Sequence, residues 1–325
     1  MVTINDIARL AGVAKSTVSR YLNGGSVSAK TKAKIDKIVA ETGYKPNTFA
    51  QSLKAKNTAM IGTIVPRLDS YATTQGLKGI DEQLRAVDYQ LLITNSNQDI
   101  QREIEAIYAY AKQKVAGIIL FATVITDEHR KAIDSSKVPV IILGQQADGY
   151  HSIVHDDYQA GYMLGKYAVG LGHRVFTYFG VFEDDIAVGQ KRKQGILDGI
   201  KPNGTIEIIE TTFAIEAAYQ KALKILPKME SSYVICATDN IALGVLKAAH
   251  ELKMVIPDQF SLSGFGDYDV TTAVFPMITT IKFPYYQSGV IAAENLYQLI
   301  EGEKIPEIIK LDNQLVERES TKRLK

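Results

Sequence analysis

The segment TINDIARLAGVAKSTVSRYLNG, residues 3–24, predicts the fold of the amino-terminal part of the chain. Apolar residues recur at helical spacing on either side of Gly12, which can supply the positive φ of a tight turn. They are Ile7, Leu10 and Ala11 before the turn and Val18 and Leu22 after it. The pattern predicts two helices that share an apolar face, in a helix-turn-helix arrangement.

The second of these helices presents polar side chains and lies in a strongly basic part of the chain. Its outward residues are Lys15, Ser16, Ser19 and Arg20. The first 57 residues hold 10 Lys and Arg against 3 Asp and Glu, a net charge of +7, whereas the remainder holds 27 against 33, a net charge of −6. Because Lys and Arg neutralise phosphates, we expect the basic part to bind DNA, with this helix in the major groove.

From Ile61 onward, apolar strand patterns alternate with helical ones. Strand-like runs such as IGTIV, YQLLITN, AGIILFA and VPVIILG are separated by segments of helical period, and the rhythm resumes with RVFTYFG, YVICATD and FSLSGFG. Strands this continuously apolar are buried on both faces, which predicts parallel sheets covered by helices. A chain of 325 residues accommodates two such Rossmann-like halves, with a ligand cleft at the carboxyl ends of their strands.

Composition and motifs argue against several classes of protein. With 46% apolar and 22% charged residues the chain is neither disordered nor fibrous, and its longest apolar run, VAGIILFATVI, is about half of the ~20 residues that a membrane span needs. A single cysteine, Cys236, and no signal-peptide pattern favour the cytoplasm. The sequence has no HExxH, nucleophile elbow or phosphate-binding loop, so we expect no enzyme activity, metal or cofactor.

Polar residues follow several strands, where they would converge on the cleft. They are Ser70, Tyr71, Asp156, Asp157, Asp239 and Asp267. The guanidinium of Arg192 can grip two adjacent hydroxyl groups. Aromatic rings that suit the apolar face of a sugar are Tyr71, Phe121 and Phe213. For each of these residues a helix-capping or structural role is an equally good interpretation.

These features resemble the lactose-repressor (LacI) family of bacterial transcription regulators along nearly the whole chain. The resemblance is carried by INDIARLAGV and TVSRYLNG, by NTFAQSLKAK at the place of the family's hinge helix, and by the two-lobed body. It implies a helix-turn-helix domain, a hinge with linker, and an effector-binding and dimerisation domain that resembles periplasmic sugar-binding proteins. Their expected ranges are 1–46, 47–58 and 59–325, with lobes at about 59–157 with 286–312 and about 160–283 with 315–325.

For the amino-terminal part, the resemblance implies contacts with double-stranded operator DNA. Lys15 and Ser16 match the principal positions that read base sequence, and Arg20 matches a further base or phosphate contact. Phosphate-contacting positions are matched by Thr3, Thr17, Ser19 and Asn23. Leu53 matches a leucine that wedges into the minor groove, and Ala50 a small residue at which two hinge helices pack.

For the cleft, the resemblance implies a small-molecule effector. Arg192 in RKQG matches an arginine that contacts the effector, and Phe213 matches an aromatic residue that stacks on it. Other pocket-lining positions are matched by Ser70, Tyr71, Phe121 and Asp156. Asp239 matches a motif aspartate beside the pocket.

Two positions depart from the family pattern. Ala14 stands where members usually have a serine that caps the second helix and touches phosphate. Gly266 and Asp267 stand where members usually have two acidic residues, the first of which is often an effector ligand. Either Asp267 replaces the missing carboxylate, or the effector is anchored otherwise.

Together these observations predict a dimeric, cytoplasmic repressor of carbohydrate-utilisation genes, controlled by a sugar or sugar phosphate. The carboxyl end, DNQLVERESTKRLK, has no heptad tail, which favours a dimer and hence a near-palindromic operator. Two alternatives stay open: a sugar-binding receptor or transport protein, and a global regulator whose body binds a partner protein. Induction and corepression are both compatible with the sequence.

Overall fold

Two compact units make up the protein in the computed structural model. They are Met1–Ala59 and Met60–Lys325. The residues that the structure describes are 2–22, 25–44 and 58–324.

The smaller unit is built from three helices, which are α1 (Ile4–Ala11), α2 (Lys15–Leu22) and α3 (Ala29–Thr42). Thr3 caps α1, because its hydroxyl oxygen accepts from the backbone N–H of Asp6 at 3.4 Å while the Asp6 carboxylate accepts from the Thr3 N–H at 3.0 Å. Gly12 ends α1 with a φ of 64°, the left-handed turn expected from the sequence. The predicted helix-turn-helix is confirmed.

The apolar core of this unit differs at one position from the sequence-based expectation. Its buried side chains are Ile7, Ala8, Ala11, Val18 and Ile35. Leu10, expected on the inner face of α1, is 56% exposed. The inner face of α1 runs through Ile4, Ile7, Ala8 and Ala11, so Leu10 projects away from α3.

The larger unit alternates strands with helices. Its strands are β1 (Met60–Val65), β2 (Gln90–Asn95), β3 (Gly117–Phe121), β4 (Val140–Leu143), β5 (Ser152–His155), β6 (Val175–Gly180), β7 (Thr205–Glu210), β8 (Tyr233–Cys236), β9 (Ser261–Gly266), β10 (Thr279–Lys282), β11 (Ile308–Leu311) and β12 (Gln314–Val316). Its α-helices are α4 (Tyr71–Ala86), α5 (Ile100–Lys112), α6 (Asp127–Ser136), α7 (Asp157–Gly170), α8 (Lys193–Ile200), α9 (Ile215–Ile225), α10 (Asp239–Glu251) and α11 (Tyr285–Ile300). A π-helix, Ile186–Arg192, leads into α8, and short 3₁₀ helices span Leu226–Lys228 and Asp269–Thr272.

The strands form two six-stranded sheets, which define two lobes. Lobe 1 has the order β11-β5-β4-β3-β1-β2 with every pair parallel, and lobe 2 has the order β12-β10-β9-β8-β6-β7. The predicted parallel sheets are confirmed, except that the edge strand β12 runs antiparallel to β10. Mostly parallel sheets often carry such an antiparallel edge strand.

The chain crosses between the two sheets three times. It leaves lobe 1 after β5, returns after β10 through α11, and crosses again between β11 and β12. Helix α11 packs on α4 so closely that a Cβ at Gly289 would lie 2.0 Å from the carbonyl oxygen of Gly76. This close approach ties the returning helix firmly to lobe 1.

Each sheet has an apolar core on both faces. All five residues of β3 and all four of β8 are buried, including Cys236, whose thiol pKa is raised by burial. The apolar run VAGIILFATVI contains β3 as expected. Among the described residues, no helix combines the length and the hydrophobicity required to cross a membrane.

Candidate functional site

A cleft of about 160 Å³ lies between the two lobes of the larger unit. Its walls come from residues at or just after the carboxyl ends of strands in both lobes, among them Phe121, Leu143, His155, Thr238 and Tyr268. The carboxyl ends of parallel strands point the same way, so their loops meet at one edge of each sheet. This is the place where the sequence predicted a ligand site.

Four of the eight predicted effector residues line the cleft, namely Ser70, Phe121, Arg192 and Phe213. Ser70 caps α4, where its hydroxyl oxygen accepts from the Thr73 N–H at 3.3 Å. Phe121 ends β3 and is buried. The guanidinium of Arg67, from lobe 1, stacks over the ring of Phe213, from lobe 2, at 4.5 Å from the ring centre. A cation–aromatic contact therefore already joins the lobes at the cleft.

Arg192 is a buried cation, and three of the five N–H groups of its guanidinium have partners among the described residues. Its Nε and Nη2 donate to the Oδ1 of Asp157 at 3.0 and 2.5 Å, and its Nη1 donates to the carbonyl oxygen of Ala237 at 2.6 Å. The rings of Phe265 and Phe283 each lie 4.8 Å from the guanidinium carbon. The charge of Arg192 is thus neutralised by Asp157 before any ligand arrives.

The backbone that carries Arg192 is fixed by contact with α7. Arg192 is the last residue of the π-helix, a form that often occurs at functional sites. A Cβ at Gly161 would lie 2.1 Å from the carbonyl oxygen of Arg192, and one at Gly195 would lie 2.0 Å from that of Tyr158. Only glycines at these places allow α7 and α8 to approach so closely, and this approach brings Asp157 beside Arg192.

The other four predicted effector residues, Tyr71, Asp156, Asp239 and Asp267, do not border the cleft. Tyr71 lies beside it: its ring stacks on Tyr268 with centroids 4.3 Å apart, and its hydroxyl donates to Asp269 at 3.1 Å. Asp156 caps α7 and forms an ion pair with Lys310 at 2.5 Å. Both residues therefore have structural partners.

Asp239 is fully buried beneath the cleft wall. Its Oδ2 accepts from the Tyr268 N–H at 2.8 Å and its Oδ1 accepts from the Thr280 hydroxyl at 2.7 Å. Burial raises the pKa of Asp239 to about 7, although both hydrogen bonds act in the opposite direction. Asp239 thus fixes the backbone from which the Tyr268 ring projects.

Asp267 has a left-handed backbone with φ of 54°, and its carboxylate forms ion pairs with Arg318 and, at 3.7 Å, with Lys282. The carboxylate is therefore committed to these cations. A Cβ at Gly266 would lie 2.1 Å from the ring of Tyr268. The space next to Gly266 is filled by this tyrosine.

Asp157, which the sequence placed at the cleft among the polar residues that follow strands, lines it. Other cleft residues were not singled out from the sequence; they include Arg67, His155, Asp185 and Tyr268. Burial lowers the pKa of His155 to about 4, so the ring is neutral, and its Nε2 has no hydrogen-bond partner among the described residues. Asp185 caps the π-helix, and burial raises the pKa of its carboxyl group. His155 could have been found by reading the whole of HDD, residues 155–157, at the end of β5.

The predicted DNA contacts lie on or next to the first two helices. Lys15, Ser16 and Arg20 are exposed on α2, while Thr17 and Ser19 are half-buried. Thr3 is exposed as the cap of α1. Ala14 precedes α2 and carries no side-chain oxygen, so only its carbonyl oxygen accepts, from Thr17 N–H at 2.9 Å. Predicted contacts outside the described residues are Asn23, Ala50 and Leu53.

Comparisons with known proteins agree with this architecture. Residues 3–47 match the family model described as bacterial regulatory proteins, lacI family, and residues 166–321 match the periplasmic binding protein-like domain. The sucrose operon repressor of Staphylococcus xylosus is 43% identical over 316 residues, which cover 96% of this chain and 98% of that protein. The chain belongs to the LacI family.

More distant relatives extend the comparison. Catabolite control protein A of Priestia megaterium is 27% identical over 99% of both chains. The lac repressor dimer bound to operator and the anti-inducer ONPF has a TM-score of 0.88 at 25% identity, and the match covers 99% of both chains. This LacI-family protein is a DNA-binding transcriptional regulator, as the sequence predicted.

Proposed function

We propose that this LacI-family protein represses genes for sucrose utilisation and that sucrose, or a phosphate ester of it, is the effector bound in the cleft. The observation that carries the proposal is the 43% identity to a sucrose operon repressor over 96% of the chain, combined with an interlobe cleft lined by aromatic and hydrogen-bonding groups. Such a lining suits a sugar, whose ring has apolar C–H faces and a polar edge.

In this proposal Arg192, Ser70, Phe121 and Phe213 contact the effector. Three of the five N–H groups of the Arg192 guanidinium donate to Asp157 and Ala237 within the described part of the chain, which leaves two for hydroxyl groups of a sugar. Tyr71, Asp156, Asp239 and Asp267 then act by positioning the loops around the cleft, because their side chains are engaged with other protein groups.

The DNA-binding surface is proposed to be the exposed side of α2. Lys15 and Ser16 read base edges and Arg20 contacts a base or phosphate, while phosphates are bound by Thr3, Thr17, Ser19 and Asn23. Leu53 wedges into the minor groove where the hinge helices of two protomers meet at Ala50. The protein acts as a cytoplasmic homodimer on a near-palindromic operator and has no enzymatic activity.

Effector control follows from differential binding to two arrangements of the lobes. A sugar in the cleft contacts both lobes, so it favours one relative orientation, and that orientation governs whether two DNA-binding units can reach both half-sites. Such coupling is typically about 1–3 kcal/mol, equivalent to a 5- to 150-fold change in operator affinity.

The proposal is tested by selecting bound sequences from random duplex DNA with the full-length protein at a fixed salt concentration. Selection is repeated with sucrose, glucose, fructose and the phosphate esters of each. We expect a near-palindromic site whose occupancy changes with sucrose or its phosphate. If the protein binds a specific DNA sequence but calorimetry detects no binding of any sugar, and no sugar alters DNA binding, control by a partner protein is favoured instead. If the protein binds sugar but prefers no DNA sequence, a receptor is favoured.

A further inference from the structure

Tyr268 lies where the cleft, the lobe interface and the strand ends of lobe 2 meet. Tyr268 lines the cleft, and its ring is stacked on Tyr71, which belongs to the opposite lobe. Tyr71 is the first residue of α4, so the start of that helix fixes its place, and its hydroxyl donates to Asp269 at 3.1 Å. One aromatic pair thus joins both lobes next to the ligand space.

The position of the Tyr268 ring is tightly determined. Its backbone N–H is held at 2.8 Å by the buried carboxylate of Asp239. The ring fills the space beside Gly266, where a Cβ would lie 2.1 Å from it, and Gly266 has a φ of 134° that residues with side chains rarely adopt. Residue 266 therefore leaves room for the ring and adds no side chain of its own to the cleft.

Asp267, the residue after Gly266, cannot bind the effector in place of the missing carboxylate without losing its present partners. Asp267 is paired with Arg318, which also donates to the Ile278 carbonyl oxygen at 2.8 Å. On this side of lobe 2 the cleft thus presents an aromatic ring, whereas the adjacent acidic group is bound to cations.

We propose that Tyr268 is a specificity-determining residue of the cleft, which packs on the sugar ring of the effector, and that Tyr71 is a positioning residue that holds it there when the lobes are closed. The proposal rests on the proposed sugar effector and adds a named contact to it. Because the same ring contacts the ligand space and the opposite lobe, sugar binding and lobe closure support each other.

The chain contains no tryptophan, which allows a direct test. Tyr268→Trp introduces a single tryptophan at the cleft, and Tyr158→Trp, at an exposed tyrosine of α7 in the same lobe, is the matched control. We expect the emission of the first variant to change on titration of the full-length protein with sucrose or its phosphate esters, and to saturate at the dissociation constant that calorimetry gives. The emission of the control should stay constant.

Four further variants measure the contribution of the ring. Tyr268→Leu should weaken sugar binding about tenfold, which corresponds to about 1.4 kcal/mol, whereas Tyr268→Phe should stay within about twofold of the wild type because stacking needs only the ring. Tyr71→Leu should also weaken binding, and combining it with Tyr268→Leu should cost less than the sum of the two, since both remove one stack. Melting temperatures without sugar identify any variant that fails to fold.

The outcomes separate the two proposals. If the wild-type protein binds sugar but Tyr268→Trp emission is unchanged and Tyr268→Leu binds normally, the role of Tyr268 is wrong and the proposed effector stands. If Tyr268→Trp does not fold, the Phe and Leu variants decide alone. If the wild-type protein binds none of these sugars, the proposed function fails, and the role of Tyr268 fails with it.

Discussion

Replacing Arg192 by methionine should strongly destabilise the larger unit, even in the absence of effector. Methionine keeps an unbranched apolar stem but removes the guanidinium, so the Asp157 carboxylate loses both N–H donors that hold it. The side chains of Arg192 and Asp157 are only 5% and 8% exposed, so water cannot readily solvate the unpaired carboxylate. Removing one partner of a buried ion pair costs about 3–5 kcal/mol.

The size of the effect can be converted to a melting temperature. At about 2–4 °C per kcal/mol for a domain of 150–250 residues, the loss corresponds to roughly 6–20 °C. The assay is thermal unfolding of full-length protein without sugar, followed by circular dichroism or calorimetry. Lys193→Met is the matched control, because Lys193, the next residue along the chain, forms an ion pair with Glu183 in which the two side chains are 22% and 64% exposed. Ion pairs that solvent reaches in this way contribute about 0–1 kcal/mol.

A double variant separates loss of the ion pair from loss of packing. Asp157→Asn removes the stranded charge, so the double variant Asp157→Asn/Arg192→Met should be more stable than Arg192→Met alone by about 2 kcal/mol or more. If Arg192→Met melts within about 2 °C of the wild type, or if the double variant is less stable than Arg192→Met, the assignment of a buried, mutually dependent pair is refuted.

Three further predictions concern other parts of the molecule. The pKa of Asp239 is about 7 in the folded protein against 3.8 in the unfolded chain, so it adds stability that is fully present below pH 4 and is lost as the pH rises to 7. Urea unfolding of the wild type and of Asp239→Asn between pH 4 and 8 measures this. The difference in their free energies of unfolding should fall by up to about 1.4 kcal/mol per pH unit and then level off. His129→Phe should cost about 2–3 kcal/mol in urea unfolding, because the ring donates to the buried Glu103 carboxylate at 3.0 Å; a cost under 1 kcal/mol would contradict this role. Leu53→Ala should weaken specific operator binding in a titration while sugar affinity stays unchanged, and equal loss of both would exclude a hinge role.

Much of the fold could be predicted because its signals are local. The period of apolar residues distinguishes helices from strands, and continuous apolar runs such as the one that forms β3 indicate burial on both faces. The sequence-based expectation fails where burial depends on packing between separate elements. Leu10 has the hydrophobicity of a core residue, but which face of α1 is buried depends on where α3 packs, and α3 lies far along the chain.

The candidate cleft could be located from the sequence but not fully described. Parallel strands place their carboxyl ends together, so Phe121 and Ser70, at the end of β3 and shortly after β1, could be expected at its edge. Asp156 and Asp239 follow strands just as closely, yet each is bound to protein groups from distant parts of the chain, Lys310 and Thr280. Proximity to a strand end thus predicts the neighbourhood of a site and not the direction of a side chain.

The helix-turn-helix, the β/α alternation, the family and the edge of the sheets where the cleft lies could all be predicted from the sequence, because each depends on periodicity or on short motifs. That Tyr268 borders the cleft while the adjacent Asp267 does not became clear from the folded structure alone. That choice depends on backbone angles at Gly266 and Asp267 and on Arg318, 51 residues away, which pairs with the carboxylate. A contact between residues far apart in the chain produces no periodic pattern in a single sequence. Which side chains line the cleft therefore depends on how the completed fold brings distant residues together.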